Sequence, residues 1–168
     1  ARLPVADAAR ANAMASDVAA SDDSDLRNVA HIGTCVTAVG LALAESTPAS
    51  GQDLLTAIVT GYEAGGRIGE AIAASGNSAN GGAITGSIGR GFHASAIVAF
   101  AGTVTAARLL RLTPEQLANA LGITATSVGG LSISSNTAAR EYHAGNAALT
   151  AINAALAAAR GYVVNPDM

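Results

Sequence analysis

An all-α domain is predicted for this chain of 168 residues, on three features of its sequence. Alanine supplies about a quarter of the residues while aromatics are 3% and tryptophan is absent, so small aliphatic side chains must build the core. Alanine is the best helix former and a poor strand former. Apolar residues recur at helical spacing between recognisable caps, and no stretch reads as a convincing strand. With half of its residues hydrophobic the chain has enough apolar material for one core, and 1–168 reads as a single helical domain.

The elements follow in order. A small-residue helix is expected from Asp7 to Val18, with Pro4 suited to its entry. It ends in a polar patch, Ser21-Asp22-Asp23-Ser24-Asp25, a loop with no basic residue before Arg27. His31 to Glu45 is a second helix with a broad apolar face, stopped by Thr47-Pro48. Ser50-Gly51-Gln52-Asp53 has the form of a capping box, a hydroxyl followed three residues later by a carboxylate. Behind it Leu54, Leu55, Ile58, Val59 and Tyr62 recur at helical spacing, and this helix is expected to run to Ala74. Residues 76–91, rich in glycine, serine and asparagine, read as a flexible loop at the rim of a site. Gly91 to Leu110 reads as a long apolar helix with Arg108 and Arg111 at its end. Thr113-Pro114-Glu115-Gln116 is the strongest local signal, an N-cap threonine with proline at the first helical position. Gly129-Gly130 breaks that helix and Ser132 to Asn136 is polar loop. A last helix is expected from Ala138 to Arg160, with Gly161 beyond its end.

Composition excludes several functions. With a net charge of −3 and 12% charged residues, no basic surface exists to neutralise nucleic-acid phosphates. The chain has no lysine, which removes a P-loop lysine, a Schiff-base lysine and a lysine base; the glycine-rich segment also lacks a GxGxxG after a strand. Its one cysteine, Cys35, can form neither an internal disulfide nor a multi-thiolate metal site, and reads as a buried small residue in a reducing compartment. The longest apolar stretch, Ala94 to Ala107, is interrupted by polar residues and falls short of the roughly 20 residues of a spanning helix. The N-terminus lacks a signal-peptide apolar core, so a cytoplasmic location is expected. The positive mean hydropathy points to a chain that buries much of itself against a partner.

Chemistry concentrates at loop-to-helix junctions. His31 follows the acidic patch, His93 follows the glycine-rich segment, and Arg140 and His143 follow the Ser/Asn loop. Helix N-termini have unsatisfied N–H groups and a partial positive charge, so three of them bearing His, His and Arg/His suit one anionic substrate. No two histidines stand at i, i+3 or i, i+4, so the spacing does not support a metal site. Tyr62 and Tyr142 read as core-edge residues.

The segments 54–72 (LLTAIVTGYEAGGRIGEAI), 89–131 (GRGFHASAIVAFAGTVTAARLLRLTPEQLANALGITATSVGGL) and 143–162 (HAGNAALTAINAALAAARGY) resemble, in order, those of the MmgE/PrpD superfamily. That superfamily includes 2-methylcitrate dehydratase, cis-aconitate decarboxylase and iminodisuccinate epimerase. Residues 21–45 are similar to its acidic loop and the histidine step after it. The resemblance implies the mostly helical domain of an enzyme whose smaller α/β domain is absent here. It further implies a homodimer, or a completing chain or domain, acting on small di- or tricarboxylates without metal or organic cofactor. Carried over, His93 matches the histidine of an F-H motif, His31 the histidine after the acidic loop, and Asp22, Asp23 and Ser24 the end of a D-F-D-D-T pattern. Arg140 and His143 match the lysine and histidine of K-x-x-H-x-G-x-A-A. The departures are Ala20 or Asp22 for the first aspartate, Asp17 near an expected histidine, Ile32 for proline, and Arg140 for lysine, a cation that does not deprotonate to act as a base.

The reading that follows is a lyase, a hydro-lyase or decarboxylase, acting on an acid such as 2-methylcitrate or cis-aconitate. His93 and His31 are expected to be the acid–base pair, with Asp22 or Asp23 orienting a histidine or binding a substrate hydroxyl. Ser24, Arg140 and His143 are expected at the substrate, Arg140 clamping a carboxylate. The alternatives are an isomerase or epimerase of a dicarboxylate, and a non-catalytic accessory chain that binds a partner.

Overall fold

The computed structural model describes residues 3–74 and 92–165; the glycine-rich segment 76–91 lies outside the described residues. Among the described residues there are six α-helices, α1 (Val5–Val18), α2 (Ile32–Ala44), α3 (Gly51–Ala74), α4 (Ser95–Leu109), α5 (Pro114–Ser127) and α6 (Ala139–Ala159), with a one-turn 3-10 helix at Ser132–Ser134. Among the described residues there is no strand, only two isolated bridges, Asp25 with Ala30 and Phe92 with Leu131. No helix among them is long and apolar enough to cross a membrane.

The cap signals form the bonds they predict. Ser50 and Asp53 exchange side chain and backbone at the start of α3, the Asp53 N–H donating to Ser50 Oγ at 3.1 Å and the Ser50 N–H to Asp53 Oδ2 at 3.0 Å. Thr113 and Gln116 do the same at α5, with Pro114 first in the helix. At the end of α6, Gly161 (φ +88°) reverses the chain, and the N–H groups of Gly161 and Tyr162 return to the carbonyls of Ala158 and Ala157. That is a Schellman cap, and the left-handed turn is open to glycine without strain.

α4 is the hub. It is buried nearly all round, as a helix that is apolar on every side should be, and it packs against α2, α3, α5 and α6. α1 lies across α2 and α6. The hydroxyls that α4 carries into this core are satisfied locally. Thr103 and Thr105 donate to the carbonyls of Ala99 and Ala101, and Thr103 Oγ1 also meets Thr124 Oγ1 of α5 at 2.7 Å.

Two helices differ from the sequence reading. α4 begins at Ser95 rather than Gly91, because Phe92 and His93 are drawn to the loop after α5, where the His93 N–H donates to the Gly130 carbonyl at 3.0 Å. The buried stripe of α3 is Ala57, Gly61, Gly65 and Gly69, joined by Gly66, rather than its large side chains. Leu54 and Ile58 reach α2 beside Gly40, but Leu55 and Val59 are 65% and 67% exposed. A Cβ on Gly61 would stand 2.7 Å from the Ala101 carbonyl oxygen, and one on Gly65 2.8 Å from the Ala101 Cβ. The missing side chains let α3 and α4 approach by backbone.

The same stripe seats the loop between α1 and α2. Arg27 lies against Gly66 and Asn28 against Gly69. Arg27 is held to the buried Asp25 carboxylate at 2.7 Å through Nη2 and reaches Glu63 at 3.1 Å through Nη1. Arg27 holds the Asp25 carboxyl below the usual aspartate range. Val29, a β-branched residue, takes a left-handed conformation (φ +56°) that its N–H bond to the Asp25 carbonyl imposes.

Two stability outcomes follow. Gly61→Ala is expected to cost about 2 kcal/mol, because the Ala101 backbone cannot move aside, whereas Gly51→Ala, with open space around it, changes little; urea unfolding compares them. Asp25→Ala is expected to cost about 1–2 kcal/mol at pH 7, the figure discounted because Arg27 is partly exposed. The folded-state pKa of Asp25 is depressed, so its contribution is present above the unfolded value and is lost as pH falls through the native one. The gap between wild type and variant must therefore close in urea melts at low pH.

Candidate active site

The ends of four helices meet at one cleft. It is lined by Asp17 from the end of α1, by His31, Thr34 and Cys35 around the start of α2, by His93, Ala94, Ser95 and Val98 around the start of α4, and by Arg140 and Ala144 from the first turns of α6. The three loop-to-helix junctions singled out in the sequence thus converge, and His31, His93 and Arg140 share one wall-to-wall space of about 20 Å³. That volume holds about one water molecule, so a polycarboxylate enters only by moving side chains or along a wall formed by other residues. Larger hollows exist, such as one of about 260 Å³ beside Asp53, Arg108 and Arg111, one beside Glu45 and one beside Glu115, and among the described residues none of these three is lined by a histidine. The two histidines set the smaller one apart.

The loop fixes His31 in a defined tautomer. Its Nδ1 lies 2.6 Å from the Asp23 carbonyl oxygen; a carbonyl can only accept, so Nδ1 carries the proton and Nε2 of the neutral ring is a free lone pair. Asp22 Oδ2 stands 3.4 Å from the same Nδ1 and accepts the Thr34 hydroxyl at 3.0 Å. Asp23 takes the α2 N-cap role that His31 leaves vacant, because its Oδ1 accepts the Gly33 N–H at 2.9 Å. Its Oδ2 accepts the Tyr62 hydroxyl at 2.7 Å. Burial and the Asp23 carboxylate push the Tyr62 phenol pKa upward, so it stays protonated.

His93 is set the other way. Its Nδ1 accepts the backbone N–H of Ser95 at 3.1 Å, which puts the proton of the neutral ring on Nε2. Burial lowers its pKa, and the nearby His143, Arg140 and His31 lower it further. A second proton on Nδ1 would also oppose the Ser95 N–H. His143 lies behind it, the rings 5.3 Å apart and tilted by 57°. Gly130 (φ +101°) lies against Ser95 and the His143 ring: a Cβ there would stand 2.6 Å from Ser95 Oγ and 3.1 Å from His143 Nδ1.

The remaining sequence candidates are placed as follows. Arg140 is partly buried, with Nε 3.7 Å from Asp17 Oδ2 and 3.8 Å from Glu141 Oε1. His143 does not line the cleft; its Nε2 is 3.5 Å from Ser134 Oγ. Ser24 is exposed and does not line the cleft. Asp22 and Asp23 sit behind His31 rather than in the cleft wall. Cys35 does line it, but burial pushes its thiol up to about 12, so it offers no thiolate. Tyr142 is exposed beneath Arg10, whose guanidinium carbon lies 5.0 Å from the ring centre. Among the described residues no group of three or more His, Cys, Asp or Glu converges to hold a metal ion.

Asp17 was missed as a site residue. It is 5% exposed, and its carboxyl pKa is raised chiefly by burial. The signal was in the sequence: Ala9, Ala13 and Asp17 form one i, i+4 stripe on the buried side of α1, and a carboxylate on an alanine stripe needs a partner.

Chemically the site pairs an imidazole lone pair with an imidazole N–H donor, next to a guanidinium able to bind an anion. It sits where four helix ends of an all-α domain meet. The chain matches the MmgE/PrpD N-terminal domain over residues 1–168 and is a member of that family, one of dehydratase- and decarboxylase-type lyases. It is similar to the cis-aconitate decarboxylase of Aspergillus terreus and to that of A. terreus strain NIH 2624 / FGSC A1156, at 34% identity over 111 residues in each case. The match covers 65% of this chain and 21% of each relative, so the chain spans a minor part of the length of those proteins.

The two tautomers are open to measurement. Long-range 15N spectra at neutral pH are expected to show His31 protonated on Nδ1 and His93 on Nε2. On acidification His93 should stay neutral to below the ordinary histidine range. Since the native state binds fewer protons than the unfolded one there, His93 makes stability rise with pH across that window.

Proposed function

We propose that this domain carries the proton-transfer groups of a lyase that removes carbon dioxide or water from a small di- or tricarboxylate. The observation that carries the reading is the opposite setting of two imidazoles on one cleft, together with Arg140. His31, with Nδ1–H committed to the Asp23 carbonyl, uses its Nε2 lone pair to take a proton from carbon or to return one. His93 is neutral and presents Nε2–H to the oxygen on which negative charge develops, at a carboxylate or a departing hydroxyl. Arg140 binds a substrate carboxylate through its planar fork, helped by the partial positive charge at the starts of α2, α4 and α6. Asp22, Asp23 and Tyr62 hold His31, and His143 backs His93. Loss of carbon dioxide is placed ahead of loss of water, because the relatives that the chain resembles are named decarboxylases. The substrate closest to that name is cis-aconitate.

The test is turnover of cis-aconitate, and then of citrate-like acids, by the full-length protein, followed by the change in conjugated double-bond absorbance and by mass. His31→Ala is expected to lower kcat by about 10²-fold or more with the melting temperature unchanged, and Ser24→Ala to leave it within about twofold. Full turnover in His31→Ala would overturn the assignment of the base. Inversion of a stereocentre without loss of mass would make the enzyme an epimerase that uses the same pair.

A further inference from the structure

Arg140 is the cleft's cation, yet it is not free. Two carboxylates lie within ion-pair reach of its Nε, Asp17 Oδ2 at 3.7 Å and Glu141 Oε1 at 3.8 Å, and neither is close enough to hydrogen-bond that atom. The Nε is itself buried and has no hydrogen-bond partner. The two acids differ in surroundings: the Asp17 side chain is 6% exposed and lines the cleft, while that of Glu141 is 24% exposed, keeps its Oε2 buried and without a hydrogen-bond partner, and does not line the cleft.

We infer that Asp17 is a positioning residue, whose buried carboxylate aims the Arg140 guanidinium into the cleft and takes up a proton when a substrate's anionic group docks on that arginine. The proposal rests on the lyase reading for the identity of the substrate, but not for the proton uptake.

A docked carboxylate would be the third on one guanidinium. Three negative charges cannot share one cation in a partly buried site, and the least solvated of them is neutralised most easily. That one is Asp17. The charged groups facing it are Asp22 from the loop, His31 at the start of α2, and Arg140 and Glu141 from α6. Burial, Asp22 and Glu141 favour its protonated form, while Arg140 and His31 favour the charged one. An anion that takes up the charge of Arg140 removes the strongest attraction that keeps Asp17 ionised. The proton comes from solvent and returns to it on release. Such a site favours anions at lower pH.

Calorimetry of sulfate binding to the full-length protein, in two buffers of different ionisation enthalpy, counts the protons taken up; sulfate does not itself titrate in this range. The wild type is expected to take up part of a proton below neutral pH and to bind more tightly as pH falls. Asp17→Asn should lose that uptake and bind about tenfold more tightly at pH 8, the effect of about one pK unit of repulsion removed. Asp17→Glu should restore the pH dependence, and Glu141→Gln should keep it. If Asp17→Asn fails to fold, loss of the uptake in Arg140→Gln and its retention in Glu141→Gln decide the question. Equal uptake in Asp17→Asn and wild type, or no sulfate binding by the wild type, overturns the proposal. Turnover separates it from the lyase reading: an active enzyme with unaltered uptake in Asp17→Asn sinks only the role of Asp17, and proton-coupled sulfate binding without turnover of any acid sinks only the lyase.

Discussion

Close approach of its neighbours to the bare backbone of α3 is the constraint on which the rest depends. A helix that buries Gly61, Gly65, Gly66 and Gly69 offers no side chains to interlock, so its partners must come down to the main chain. α4 does so at Ala101 and Thr105, and the loop before α2 does so with Arg27 and Asn28. The helix spacing set there places the loop, and the loop places His31. Gly145 plays the same part between α6 and α1, where a Cβ would stand 3.0 Å from the Arg10 carbonyl oxygen. Close packing of small residues leaves little room for adjustment, so the geometry of the cleft is a consequence of the core.

The acidic loop has a division of labour that its composition hides. Asp25 anchors it through Arg27, and Asp23 caps α2 and orients both His31 and Tyr62. Asp22 backs the imidazole and holds Thr34. The carboxylate that enters the cleft is Asp17, from the helix before the loop. Acids of the loop that are well hydrogen-bonded are structural here, whereas Asp17 meets Arg140 only at ion-pair distance.

Much was legible in the residues because it is local. Both capping boxes, the proline at the first position of α5 and the glycine ending α6 are interactions within four residues of chain, and their bonds form wherever the helix goes. The family resemblance singled out His31, His93, Arg140, Asp22, Asp23, Ser24 and His143, and the fold draws the first three to one cleft while the other four stand outside its lining. What was not legible depends on distant partners. Leu55 and Val59 have the spacing of a buried face, but glycines on another side of α3 allowed closer contact. His93 was expected inside a helix; a bond to Gly130, far along the chain, holds it outside. The acids of residues 21–25 could not be ranked, because the partners that separate them stand on α2 and α3.

The sequence by itself determined an all-α domain, the approximate ends of its helices, the family, and which side chains were worth bringing together, since propensity, caps and motif order are properties of short segments. Tertiary structure alone decided which tautomer each histidine holds, that Asp17 rather than Asp22 or Asp23 faces Arg140, and that His143 stands behind His93. Those outcomes turn on hydrogen-bond partners and burial supplied by residues remote in the chain, and no periodicity within a segment records them.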